Sequence, residues 1–240
     1  MMNHRLNHTD EIMFNRQLGN ELKYVIGSRR SGSVLQWLKC NCRPDPQFPV
    51  GVVNSIYFDT RDWQSLGEKM NSDYIKTKIR LRWYAEIDGS HAPNQSYAEV
   101  KYKIGYKRQK KRVATPFSGG DLAGMDLHNP VLLRIPQILK SHGIRLDRAL
   151  FPVYRIEYKR YRFLEPLHGS RICFDKDICI PRVNPMAVAR QYPLALQTAV
   201  FEYKGAFAEL PYSLFPLMKL GLRKASFSKY GACFQKLTGR

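Results

Sequence analysis

None of the common glycine signatures of nucleotide-binding proteins occurs in these 240 residues. There is no G-x-x-x-x-G-K-[ST], which excludes a P-loop NTPase, and no G-x-G-x-x-G for a dinucleotide. G-x-S-x-G is absent as well. The histidines (His4, His8, His91, His128, His142, His168) are scattered, with no zinc spacing and no evident general base among them. Cysteine is limited to Cys40, Cys42, Cys173, Cys179 and Cys233, an odd number without C-x-x-C, which suits a reducing compartment. Cys40-x-Cys42 reads as incidental thiols before a metal or redox pair. No apolar run approaches the ~20 residues of a membrane helix. The longest, Leu210 to Leu222, is broken by prolines and by Lys219. The N-terminus lacks the apolar region of a signal peptide, so a cytoplasmic location is expected.

Negative charge is also scarce. Against 39 Lys and Arg stand 20 Asp and Glu, a formal net charge of +19. Such an excess calls for a polyanionic partner: nucleic acid, phosphorylated metabolites, inorganic phosphate chains or an anionic membrane surface. A hydrophobic share of 44% is enough for a core. The length fits one large domain, expected over residues 18–240 after a flexible polar segment at 1–17.

The positive charge is ordered. In Lys76-Thr77-Lys78-Ile79-Arg80-Leu81-Arg82-Trp83 a cation occupies every second position, with Ile79, Leu81 and Trp83 between. Successive side chains of a strand point to opposite faces, so one face of this strand is cationic and the other mainly apolar. Glu21-x-Lys23, Glu99-x-Lys101-x-Lys103, Arg171-x-x-x-Asp175 and Glu202-x-Lys204 repeat the rhythm. One such strand is most simply a half-buried strand with its polar face in water. Five with matched charge, undiluted by Ser, Thr or Gln, imply a shared polar interior.

Strands are expected at about 20–26, 51–58, 74–86, 96–104, 152–163, 170–175 and 198–204, with a turn at Asp88-Gly89-Ser90. Ser31 to Cys40 reads as a helix with Val34, Leu35 and Leu38 on one side, followed by a loop at 43–49. Asp59 or Thr60 is placed to cap a short helix through Trp63 and Leu66. Short helices are expected at 118–125 and from Pro130 to Ser141, where Gly143 ends the second. A final helical part runs from Pro211 through Ser228-Lys229-Tyr230. The basic run at 107–113 reads as a solvated loop or strand end, or as a guard at a phosphate entrance. Without regular βαβ alternation, an antiparallel sheet or closed barrel is favoured over a doubly wound fold.

Cations and a few carboxylates on alternating positions suit phosphoryl chemistry without a covalent protein intermediate, where positioning and electrostatic stabilisation supply most of the catalysis. Arginine forks grip phosphate oxygens and lysines act as point charges. By this pattern Lys78, Lys103, Arg171 and Lys204 join the phosphate-binding candidates. A carboxylate among them can hold Mg²⁺ or Mn²⁺, or simply pair with its neighbouring lysine. For Glu21 and Glu99 both readings stay open.

These elements, with Tyr57-Phe58-Asp59-Thr60, Lys78-x-Arg80-x-Arg82-Trp83-Tyr84, Tyr158-x-Arg160 and Ser228-Lys229-Tyr230, occur in an order that resembles the VTC domain. That is the polyphosphate polymerase domain of the vacuolar transporter chaperone family, within the triphosphate tunnel metalloenzymes. The resemblance runs from about residue 18 to 236 and implies an α+β, mainly antiparallel β fold: an eight-stranded β-tunnel with a charged interior and helices packed outside. It also implies transfer of the ATP γ-phosphate to a growing polyphosphate chain with Mn²⁺ or Mg²⁺. By motif, Lys23, Arg80, Arg82, Lys101 and Arg160 would grip the triphosphate or product, joined by Lys110. Arg80 and Arg82 would act with Lys229, the lysine near the reacting phosphate. Tyr158 would contact phosphate through its hydroxyl, and Glu202 would hold the metal. Ser226 stands where the eukaryotic pattern often has a lysine, a departure that would weaken polymerisation. The chain is similar to the stand-alone bacterial form, for which a separately encoded membrane partner is an expectation by analogy.

Related tunnels hydrolyse triphosphate, so a tripolyphosphatase and a non-catalytic polyphosphate-binding module remain alternatives. Nucleic acid is disfavoured. Glu21, Glu99 and Glu202 interrupt the basic face, and the apolar neighbours point away from it, leaving no base-stacking platform.

Overall fold

The computed structural model describes residues 20–87, 95–105, 107–189 and 193–239, with backbone only for Lys107 and Arg108. The segment 1–17, the turn at Asp88-Gly89-Ser90, and His4, His8 and His91 lie outside the described residues.

The chain starts with β1 (Asn20–Gly27), α1 (Ser31–Asn41), β2 (Arg43–Pro44), β3 (Val50–Asp59), α2 (Gln64–Met70) and β4 (Ile75–Ala85). It continues through β5 (Ser96–Ile104), β6 (Lys107–Thr115), α3 (Gly119–Gly124), α4 (Arg134–Ser141), β7 (Phe151–Leu164) and β8 (Arg171–Val183). It closes with β9 (Leu194–Ala195), β10 (Thr198–Gly205), α5 (Pro216–Lys219), β11 (Arg223–Lys224) and α6 (Lys229–Thr238).

Among the described residues all strands belong to one antiparallel sheet of 11 strands in the order β11-β1-β10-β8-β7-β3-β4-β5-β6, with β2 added to β7 and β9 to β8. The fold is therefore α+β, and two details of the expected architecture change. The count is 11 where eight were expected, because β2, β9 and β11 are two-residue additions. The ladder also does not close: among the described residues no pairing joins β6 to β11. The sheet is curled nonetheless, since Lys101 on β5 reaches to 3.7 Å from Glu21 on β1.

The alternation explains the layering. Ile79, Leu81 and Trp83 of β4 are buried in an outer cluster with Leu122 of α3 and Ile135 and Leu139 of α4. Leu22, Tyr24 and Ile26 of β1 meet Val34, Leu35 and Leu38 of α1 in a second. The opposite, charged faces are thus turned inward. At one end α6 and α2 pack under β3 and β7, where Tyr230 stacks on Tyr57 and Tyr154 at centroid distances of 4.8 and 5.2 Å. Among the described residues no helix is long and apolar enough to cross a membrane.

Several local expectations are corrected. The run at 107–113 is a full strand paired along β5, since its alternate side chains meet the charged face of that strand. The loop at 43–49 contains β2, paired with Leu164 and Phe163. Pro130 opens a 3₁₀ turn capped by the Asn129 side chain, and α4 proper begins at Arg134; Gly143 at φ +70° follows its end. Trp63 lies outside α2 at φ 58°, and the cap is shared: Asp59 Oδ1 accepts from the Ser65 N–H and Thr60 Oγ1 from that of Gln64. The final helical part is interrupted by β11, and α6 starts at Lys229 with Ser228 as its N-cap, accepting from the Gly231 N–H.

Candidate functional site

The inward faces enclose a cavity of about 1230 Å³. Register lays its β4–β6 wall out in rows. Lys76 is opposite Lys103; Lys78, Lys101 and Lys110 are aligned across three strands; Arg80, Glu99 and Arg112 form the next row. Like charges directly opposite each other destabilise a sheet, so the lysine rows are costly unless an anion joins them.

Glu99, 2% exposed, organises the arginine row. Its Oε2 accepts from Arg80 (Nη2 at 2.6 Å) and its Oε1 from Lys110 (2.6 Å) and Arg112 (Nη2 at 2.8 Å), with Arg82 Nη1 at 3.8 Å. Burial raises this carboxyl's pKa, but the four cations outweigh it and hold it well below the usual range. Arg82 also donates to Ser55 Oγ and Tyr158 Oη. Tyr84 accepts a hydrogen bond from Arg112 at 3.1 Å; against burial, Arg82 and Arg112 lower its phenol to about 8.

Asp175, fully buried, organises the opposite wall. Arg160 grips it in a bidentate pair (2.6 and 2.7 Å), and Lys229 Nζ from α6 is 2.5 Å away. Burial raises the carboxyl, yet Arg160 and Lys229 bring it below its ordinary value. Lys229 in turn is lowered by burial and raised further by Asp175 and Glu202, so it stays protonated. Its Nζ also lies 4.8 Å from the Tyr158 ring centre.

Glu202 differs from these two carboxylates. Lys23, Arg160 and Lys229 surround it at 3.5, 3.6 and 3.6 Å, and it makes no hydrogen bond among the described residues. Glu21 stands nearby, 3.5 Å from Lys23. Among the described residues no three His, Cys, Asp or Glu side chains converge on one point. Magnesium commonly binds through one or two carboxylates plus phosphate oxygens and water, and Glu202 with Glu21 fits that donor set. Glu99 does not fit, because Arg80, Lys110 and Arg112 already occupy both its oxygens.

The chain leading into α6 straps one side of the cavity. Lys69 donates to Ser226 Oγ (3.3 Å), Lys23 to the Phe227 carbonyl (3.5 Å) and Lys78 to Ser228 Oγ (2.9 Å). Burial beside Lys23, Lys69, Lys101 and Arg80 lowers Lys78 to about 7. Burial likewise takes Lys110 down to about 8, opposed by Glu99.

The cavity brings together every residue singled out from the sequence: Lys23, Lys78, Arg80, Arg82, Lys101, Lys103, Lys110, Tyr158, Arg160, Arg171, Lys204 and Lys229, with Glu21, Glu99 and Glu202. Arg171 and Lys204 are cross-strand partners on β8 and β10. Sequence reasoning missed Arg112, hidden in the basic run, and Lys69, which carries no strand periodicity. Asp175 was aligned with Arg171 but not ranked as a site residue. Lys69 brings a cation to Ser226, the position where the resemblance expects a lysine.

Residues 19–238 match the VTC domain, and the chain belongs to that family. No curated protein matches it. Among solved structures, a proposed adenylate cyclase from Bacillus halodurans is 10% identical with a TM-score of 0.51, covering 88% of this chain and 94% of its own. A second proposed adenylate cyclase, from Vibrio parahaemolyticus, is 10% identical with a TM-score of 0.46, covering 94% and 100%. The PH1819 protein of Pyrococcus horikoshii is 12% identical with a TM-score of 0.46, covering 90% and 99%. The first of these likenesses supports a shared tunnel-like antiparallel fold; at such identity none speaks to activity.

Proposed function

We propose that the protein is a metal-dependent polyphosphate polymerase, transferring the γ-phosphoryl group of ATP to a growing phosphate chain inside the cavity. The observation that carries this reading is the arrangement of Arg80, Arg82, Lys101, Lys110 and Arg160 around one cavity with the ammonium of Lys229 fixed in its wall. An oxygen of the chain's terminal phosphate attacks the γ-phosphorus, and the bond to the β-bridging oxygen breaks with its electron pair leaving on ADP. Arg80 and Arg82 hold the charge spreading over the nonbridging oxygens, and Arg160 and Lys229 face it from the other wall. Tyr158 offers a hydroxyl to the same oxygens. A divalent ion held by Glu202, with Glu21, would neutralise phosphate charge there.

The reaction partners in this reading are ATP and phosphate chains. Lys69 supports polymerisation by supplying the cation that Ser226 lacks. The test is metal-dependent ADP formation by the parent and by Glu202→Gln, with tripolyphosphate binding measured on both. Loss of turnover with binding kept within about tenfold, a shift of about 1.4 kcal/mol, supports the assignment. Unchanged turnover in Glu202→Gln removes it.

A further inference from the structure

Lys78 is a cavity cation held without a carboxylate within ion-pair distance among the described residues. Its ammonium has one hydrogen-bond partner among them, Ser228 Oγ at 2.9 Å. The charges that act on it most are cations: Lys23 of β1, Lys69 of α2, Arg80 of its own strand and Lys101, its cross-strand partner on β5. Glu21, the acidic group between them, is engaged by Lys23 at 3.5 Å and Lys101 at 3.7 Å. The Ser228 hydroxyl serves Lys78 in both protonation states. It accepts from an ammonium, or donates to the lone pair of a neutral amine.

We infer that Lys78 is the proton acceptor of this cavity: when a phosphate chain enters, a proton from solvent is taken up on its Nζ. The inference rests on the cavity being the phosphate-chain site. Its physical basis is a half-buried ammonium among four like charges, a setting that favours the neutral amine and holds it near 7 in the bare cavity. A polyanion beside the amine reverses the sign of that field and favours the ammonium. The amine's lone pair binds one proton, no other bond changes, and the new N–H groups donate to phosphate oxygens. By linkage, affinity is highest where Lys78 is already charged and falls as pH rises through its free value. Lys110, 2.6 Å from Glu99, is also lowered by burial, to about 8, and its titration is common to the parent and to variants at Lys78.

The test is calorimetric titration with tripolyphosphate at about pH 7.5 in two buffers of different ionisation enthalpy, on the parent, Lys78→Arg and Lys78→Met. The ligand's own titration is common to all three, so the comparison isolates the protein group. The guanidinium of the first variant is permanently charged and the thioether of the second never is. The parent should take up more protons per site than either variant, and its affinity should fall more steeply than theirs between about pH 7 and pH 9. Equal proton counts in parent and variants, with binding intact, overturn the role of Lys78 while leaving the phosphate site standing. Absence of any tripolyphosphate binding by the parent overturns both. Should one variant fail to fold, the other and the parent's own pH dependence still decide.

Discussion

The ammonium of Lys229 lies 2.5 Å from Oδ2 of Asp175, a carboxylate with no exposure to solvent. Lys229 is the first residue of α6, so this contact ties the orientation of a whole helix to the cavity wall. A cation fixed in this way stabilises developing charge without reorganising during reaction. Lys229→Ala leaves Asp175 with the two hydrogen bonds of Arg160, so the fold should persist. Turnover should fall by about 100-fold or more, with tripolyphosphate affinity changed far less. Steady-state kinetics beside a binding titration checks this; loss of affinity alone would make Lys229 a clamp residue.

Glu99 is the counter-ion for Arg80, Lys110 and Arg112 together. Glu99→Gln leaves these cations with no carboxylate at their centre, an imbalance that costs on the order of 3–5 kcal/mol for a buried pair. The melting temperature should drop accordingly. Tripolyphosphate should then restore more stability to the variant than it adds to the parent, since it supplies the missing negative charge. Thermal melts with and without the ligand read both effects.

Tyr230 donates its hydroxyl to Asp59 Oδ2 at 2.5 Å, and the Asp59 carboxylate also accepts the Thr60, Ser65 and Leu66 N–H groups. This one carboxylate therefore joins α2 to α6. Tyr230→Phe keeps the stacking on Tyr57 and Tyr154 and removes only the hydroxyl. The expected loss is about 1–3 kcal/mol, measured by chemical denaturation.

Acid should weaken the protein through a definite set of groups. Glu99 and Glu202 have folded pKa values well below the ordinary one and Asp175 a lowered one, in each case because cations outweigh burial. A carboxyl depressed on folding contributes stability above its unfolded value of about 4, and this is lost as pH falls through the folded value. Melting temperature should be level between about pH 5 and pH 6 and fall below about pH 4. Glu99→Gln, already without one of these groups, should fall less steeply.

Much of the site was legible because a strand's period of two is written directly in residue types. Lys78, Arg80 and Arg82 alternate with Ile79, Leu81 and Trp83, so side and burial follow from sequence alone. The basic strand β6 was not legible, because Lys110, Lys111 and Arg112 are consecutive cations and carry no such period. Only its partner β5 fixes which of them turn inward. The extent of β8 was hidden for a related reason. Asp175, Lys176 and Asp177 are consecutive charges, Asp177 sits at φ 55°, and the register with β7 shifts nearby. The start of α6 was missed because a Ser N-cap is a local signal, whereas its position is set by Lys78, Lys229 and Tyr230 reaching distant strands. The separate roles of Glu99 and Glu202, alike as Glu-x-Lys in sequence, follow from how many donors surround each one.

In the proposed function, ATP is converted into phosphate chains inside this cavity. Purified protein incubated with ATP and Mn²⁺, with products resolved on a gel that separates polyphosphate from orthophosphate, tests this most directly. A ladder of long chains, absent in Glu202→Gln, is the predicted result. Orthophosphate alone, or ATP left intact, would contradict it.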